Sequence, residues 1–282
     1  MLDYRKITWL HAEITNLCNA HCPACARNNN GYGLKEGLKL NSVNPSQFVS
    51  VIEQLPNLNT VQMCGTYGDP IASHWFKFIV GICVDRKFNV RIHTNGSLKT
   101  TEWWSELATS IVNTEHTVIF GIDGLADTHS YYRQGTNFDK IIENAAAFIA
   151  AGGQAEWQFL TFKHNIHQVK DCMRLSQKLG FKKFTVKKSI RIPTPARNYL
   201  TGEAYTIESD VKFNSVFNNN EKILTAEDCM HLSMPSIYMN ADGTLSPCCY
   251  IRDLTYEANT IDSEFLDICK TYCGRNTVGH KN

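Results

Sequence analysis

The feature that most restricts the fold is a repeated order of strand-like and helix-like segments over the first two thirds of the chain. Strand patterns at 7–14, 60–64, 88–93, 117–122, 155–162 and 181–186 alternate with helical patterns at 45–55, 74–85, 102–110, 138–151 and 168–179. Six strand-led units spaced about 30 residues apart predict a parallel sheet with helices outside it. Six units are too few to close an eight-stranded barrel, so the expected fold class is α/β, a partial (β/α)6 TIM-like barrel. In such a fold, function collects at the C-terminal ends of the strands.

The first strand pattern runs straight into Cys18-Asn-Ala-His-Cys22-Pro-Ala-Cys25, three cysteines at C-x3-C-x2-C spacing. A strand delivers the loop to one end of the sheet, and the loop can curl three thiolates around one point. Three thiolates suit an iron–sulfur cluster with one iron left open for a non-protein ligand. A structural zinc site normally has four protein ligands, and no fourth cysteine is close by. His21, between the cysteines, reads as a polar loop residue.

The 282 residues include eleven cysteines: three at 18–25, five at 229–273, and Cys64, Cys83 and Cys172 scattered. The scattered three read as small buried hydrophobes. The first residues lack the apolar run of a signal peptide, and no window is apolar enough to span a bilayer. A cytoplasmic protein is therefore expected, in which clustered cysteines mean metal or redox chemistry rather than disulfides. With 28 Lys and Arg against 27 Asp and Glu, net charge gives no reason to expect membrane or nucleic acid. Residues 163–191 are basic, with nine Lys or Arg against Asp171. Lys170, Arg174 and Lys178 share a helix face that reads as solvated, while Lys187, Lys188 and Arg191 follow the last strand.

The cysteine loop resembles the signature of the radical SAM superfamily. The resemblance implies a [4Fe-4S] cluster on Cys18, Cys22 and Cys25, with S-adenosylmethionine (SAM) on the fourth iron. It also implies cleavage of SAM to a 5′-deoxyadenosyl radical, with electrons from a flavodoxin- or ferredoxin-type donor. The family's usual aromatic residue before the third cysteine is Ala24 here. Tyr67-Gly68-Asp69-Pro70 resembles the family's Gly-Gly-Glu-Pro turn, which makes Gly68 and Asp69 candidates for the SAM ammonium. Asn95, in Thr94-Asn95-Gly96, and Asp123, in Gly121-Ile-Asp123-Gly124, look like the family's later SAM-contacting turns. Arg133 is then a candidate partner of the SAM carboxylate.

Residues 1–190 are expected to form the barrel, 191–225 a connector, and 226–282 a small cysteine-rich module. That last segment has eight acids against four bases. Cys229, Gly243 and Cys248 match the opening of SPASM and twitch domains, around a hairpin with an Asp242-Gly243 turn. Cys269 and Cys273, four apart in a helical pattern, complete a four-cysteine set for one auxiliary [4Fe-4S] cluster. Zinc on the same four residues is the alternative, and Cys249 either replaces Cys248 or points elsewhere. The substrate expected from the resemblance is a small molecule or carbohydrate, favoured because no peptide-recognition segment precedes the first strand. The alternatives are modification of a ribosomal peptide by epimerisation, thioether formation or C–C crosslinking, and a zinc-stabilised, non-catalytic binding protein. No catalytic side chain is assigned.

Overall fold

The computed structural model describes residues 4–111, 115–189, 194–209, 235–246 and 248–249. Strands β1 (Trp9–Ala12), β2 (Thr60–Met63), β3 (Asn89–Thr94), β4 (Thr117–Gly121), β5 (Ala155–Thr161) and β6 (Lys183–Lys188) lie side by side in sequence order, every pair parallel. Helices α1 (Pro45–Ile52), α2 (Phe76–Asp85), α3 (Thr101–Ile111), α5 (Phe138–Ala150) and α6 (Val169–Leu179) alternate with them, and a single turn, α4 (His129–Tyr132), precedes α5. The expected α/β partial barrel is the fold.

Strand alternation divides the residues between two faces. Ala155, Trp157, Phe159 and Thr161 of β5 are buried against the helices, while Glu156, Gln158 and Leu160 face the concave side. The helix-side core is aromatic: Trp104 packs 5.2 Å from Phe120, and Phe181 lies 5.4 Å from Trp157. Both indoles keep a polar partner, Trp104 Nε1 donating to the Leu98 carbonyl and Trp157 Nε1 to that of Ile122. Asn44 caps α1 in a reciprocal box with Gln47, and left-handed Gly180 ends α6. Lys170, Arg174 and Lys178 are exposed on α6, as a solvated face requires.

Two features extend the sequence reading. The 191–225 segment, expected as a patternless connector, contains an antiparallel hairpin of β7 (Thr194–Arg197) and β8 (Ala204–Ile207). Pro195 is tolerated there because a two-stranded ribbon has edges that need no N–H. The expected Asp242-Gly243 hairpin is present as β9 (Ser236–Met239) and β10 (Leu245–Ser246), with Gly243 at φ +89°. Strand β9 pairs in parallel with β1, Trp9 opposite Ser236, giving the sheet order β10-β9-β1-β2-β3-β4-β5-β6. Among the described residues, no helix is long and apolar enough to cross a membrane.

Candidate active site

A cavity of about 750 Å³ opens at the C-terminal ends of β1 to β5. Cys18, Cys22 and Cys25 line one wall of it, together with Gly68, Asp69, Asn95 and Arg133. Four of the sequence-predicted barrel residues and the three-cysteine loop therefore share one space, although they come from four strand ends.

The cysteine loop is held in shape by its neighbours. The Asp69 N–H donates to the Leu17 carbonyl at 2.8 Å, and that of His21 to the Gln134 carbonyl at 2.8 Å. Buried Arg27 donates to the Asn16 carbonyl at 3.0 Å. Donors also reach the sulfurs. The Ala20 N–H lies 3.4 Å and Asn95 Nδ2 3.7 Å from Cys18 Sγ, and Arg133 donates to Cys22. Burial pushes the Cys18 thiol up, with Asp69 adding to it, and burial pushes Cys22 up to about 12 against the pull of Arg133. Such thiols ionise only beside a metal centre or cation. The donor set fits an iron–sulfur cluster: three sulfurs on one wall, donors directed at two of them, and open volume beside them. His21 lies away from this wall, stacked on Tyr199 with ring centroids 4.8 Å apart. Ala24 joins an apolar cover over the loop made by Tyr132 and Phe162 with Ala196 and Ile207 of the β7–β8 hairpin.

The turn after β2 is fixed by a residue the sequence reading passed over. Glu13, 2% exposed, accepts from the Tyr67 N–H at 2.6 Å and the Gly68 N–H at 3.1 Å through Oε1. Its Oε2 accepts from the Tyr238 hydroxyl of β9 at 2.5 Å. A Cβ on Gly68 would stand 1.9 Å from the Thr15 carbonyl oxygen, so glycine alone fits. Asp69 lines the cavity but also braces two strands. Its carboxylate accepts from the Ile71 N–H, the Asn95 N–H and the Thr94 hydroxyl, at 2.7 to 3.0 Å. Burial raises its pKa, opposed by those bonds.

Asp123 is not on the cavity wall. It is fully buried, accepting from the Leu160 N–H at 2.7 Å and from Arg133 Nε at 2.6 Å. It therefore orients Arg133, and Arg133 is the member of the pair that reaches the cavity. A Cβ on Gly121 would meet Arg133 Nη2 at 2.8 Å, so the glycine leaves room for the guanidinium. His129 completes the brace. Its Nδ1 lies 3.1 Å from the Asp123 N–H and accepts from it. Its Nε2 lies 3.0 Å from Thr136 Oγ1, whose hydroxyl donates to the Arg133 carbonyl, so Nε2 carries the proton.

Of the scattered cysteines, Cys83 and Cys172 are buried as expected, but Cys64 lines the cavity. As the residue after β2, it falls on the concave side of the strand alternation, and that position was the signal available. Cys249 also lines the cavity, while Cys248 is buried and is not on its wall, so the adjacent thiols have different surroundings. Cys229, Cys269 and Cys273 lie outside the described residues.

A partial parallel barrel with three cysteines on the loop after its first strand, beside an open cavity, is an arrangement suited to a cluster with one iron left for another ligand. The sequence profile of the radical SAM superfamily matches residues 12–162, more than half of the chain, and the chain belongs to that superfamily. No curated protein sequence matches it. Among solved structures it resembles SuiB of Streptococcus suis bound to S-adenosylmethionine, with TM-score 0.69 and 13% identity over 95% of this chain and 68% of SuiB. SuiB bound to its precursor peptide SuiA gives TM-score 0.66 and 14% identity over 94% and 65%. The protein anSMEcpe with bound AdoMet gives TM-score 0.66 and 13% identity over 97% and 84%. At these identities the likeness is one of fold.

Proposed function

We propose that this chain reductively cleaves S-adenosylmethionine and abstracts a hydrogen atom from a substrate C–H bond. The observation that carries the reading is the single cavity shared by the three cysteines, the Gly68-Asp69 turn, Asn95 and Arg133. Cys18, Cys22 and Cys25 would hold the [4Fe-4S] cluster. When bound there with SAM, the reduced cluster supplies a 5′-deoxyadenosyl radical. Gly68 and Asp69 offer the SAM ammonium a carbonyl and a carboxylate, and Arg133, steadied by Asp123, offers its carboxylate a guanidinium. Asn95 reaches both Cys18 and Asn19, so it positions the loop at the same wall.

The reading includes one auxiliary [4Fe-4S] cluster on Cys229, Cys248, Cys269 and Cys273, a flavodoxin- or ferredoxin-type donor, a cytoplasmic setting, and a small-molecule or carbohydrate substrate. A ribosomal-peptide substrate is the second reading, supported by the fold shared with SuiB, which was solved with a precursor peptide. The test is anaerobic reconstitution, reduction with dithionite and addition of SAM. Formation of 5′-deoxyadenosine by the wild type, and its loss in Cys22→Ala, supports the proposal. Iron-loaded protein that makes none is an electron-transfer protein, and protein that takes zinc and little iron is a binding protein.

A further inference from the structure

The concave face carries two polar side chains that the fold itself does not use. His93 of β3 and Gln158 of β5 both line the cavity, and among the described residues neither side chain has a hydrogen-bond partner. Their neighbours differ: Glu13, Asp69, Thr94 and Asn95 on the same wall are all engaged in protein hydrogen bonds. Both side chains are half-buried and open to the cavity, so their donors and acceptors are available to whatever occupies it.

The placement of the pair follows from register. His93 stands opposite Ile119 of β4, and Gln158 opposite Gly121, two residues further along the same strand. The two groups therefore bracket one strand, with Ile119 and Leu160 giving an apolar surface between and beside them. Arg133 crosses above Gly121. The carboxylates around the cavity are already engaged: Glu156 with Arg91 at 3.4 Å, Asp123 with Arg133, and Glu13 with Tyr238.

We infer that His93 and Gln158 form a substrate subsite for an uncharged group that both donates and accepts hydrogen bonds, a hydroxyl or an amide. A neutral imidazole and a carboxamide each present one donor side and one acceptor side, and a hydroxyl or amide complements both. A carboxylate satisfies only the donors and offers nothing to the acceptors. Burial and the nearby Lys187, Arg91 and His11 push His93 down to about 3, so its ring stays neutral at physiological pH. The inference rests on the SAM-cleaving reading and narrows its substrate class. A sugar and a peptide both carry the required chemistry.

The experiment uses reconstituted holoenzyme with SAM and dithionite, and measures 5′-deoxyadenosine above the rate without substrate. Three probe panels are compared: neutral glycosides, N-acetyl dipeptide amides, and the free carboxylates of the same dipeptides. Stimulation by one of the two neutral panels, with at least tenfold weaker stimulation by the carboxylates, is expected and says which source supplies the group. His93→Leu and Gln158→Leu each raise the KM of the active panel about tenfold or more with a smaller effect on kcat, and His93→Gln recovers part of the loss. Stimulation by the carboxylates alone, by no panel, or with KM unchanged in both Leu variants overturns the subsite. Absence of any 5′-deoxyadenosine, with or without probe, instead overturns the SAM-cleaving reading.

Discussion

Asp123 has no exposed surface, yet it reaches the cavity through Arg133, and its effect on the enzyme depends on that pairing. Asp123→Asn keeps the side-chain volume but leaves a half-buried guanidinium without its counter-charge, a change that costs up to about 3–5 kcal/mol. Urea unfolding of the variant should show a loss in that range together with weaker SAM binding. A loss under about 1 kcal/mol would mean that water or another acceptor replaces the carboxylate. His129 adds a pH term of known sign. Burial and then Arg133 hold its ring down to about 3, against 6.5 for the ordinary group. Between those values the unfolded chain binds a proton that the folded chain does not. Its contribution is therefore intact above pH 6.5 and shrinks as the pH falls towards 3. From pH 7 to pH 5.5 the loss from this one group is about 1 kcal/mol, and His129→Gln should flatten the stability profile by that amount. The sequence placed Asp123 and Arg133 in the same neighbourhood but gave Asp123 a ligand contact. A turn residue's identity is legible in a sequence; the direction of its side chain depends on what packs over it, here Leu160 and His129 from elsewhere in the fold.

Strand β9 does more than widen the sheet. By pairing with β1 it brings the Tyr238 hydroxyl onto Glu13, which in turn holds the Tyr67–Gly68 backbone. Tyr238→Phe removes a donor from a buried carboxylate, a loss of about 1–3 kcal/mol, and frees the turn proposed to face SAM. Equilibrium binding should show SAM held several-fold more weakly in that variant, and unchanged affinity would show that Gly68 and Asp69 keep their positions without the clamp. The six barrel strands were readable because each carries its own alternation, and their order follows from short parallel crossovers. The Asp242-Gly243 hairpin was readable for the same local reason. Its attachment to β1 was not, because a pairing across more than 200 residues leaves no mark in either strand. The β7–β8 hairpin escaped because four-residue strands with a proline and few apolar residues have no periodicity to detect. Its contribution is Ala196 and Ile207, which belong to the apolar cluster against which Ala24 packs.

At the scale of the whole molecule, the barrel cysteines and the second set proposed beyond the barrel can be told apart by experiment. Cys18, Cys22 and Cys25 line the cavity with Arg133, whereas Cys248 is buried off its wall. If Cys229, Cys248, Cys269 and Cys273 hold a second cluster, reconstituted wild type should contain about eight irons per chain, and Cys269→Ala about four. The variant should still convert SAM to 5′-deoxyadenosine, because the residues assigned to SAM all belong to the barrel. Cys22→Ala should reverse the pattern, keeping about four irons while making no 5′-deoxyadenosine. Equal iron in wild type and Cys269→Ala would confine the cluster to the barrel and leave the C-terminal cysteines to zinc, which metal analysis of the same samples would register. Loss of 5′-deoxyadenosine in Cys269→Ala with its barrel iron intact would tie the two centres together. Among the described residues, a connection for such coupling runs through β9, since Tyr238 on that strand meets Glu13, which holds the Tyr67–Gly68 turn of the proposed SAM site. Combining Cys269→Ala with Tyr238→Phe then decides the route: if β9 carries the coupling, the double variant loses no more activity than the worse single one.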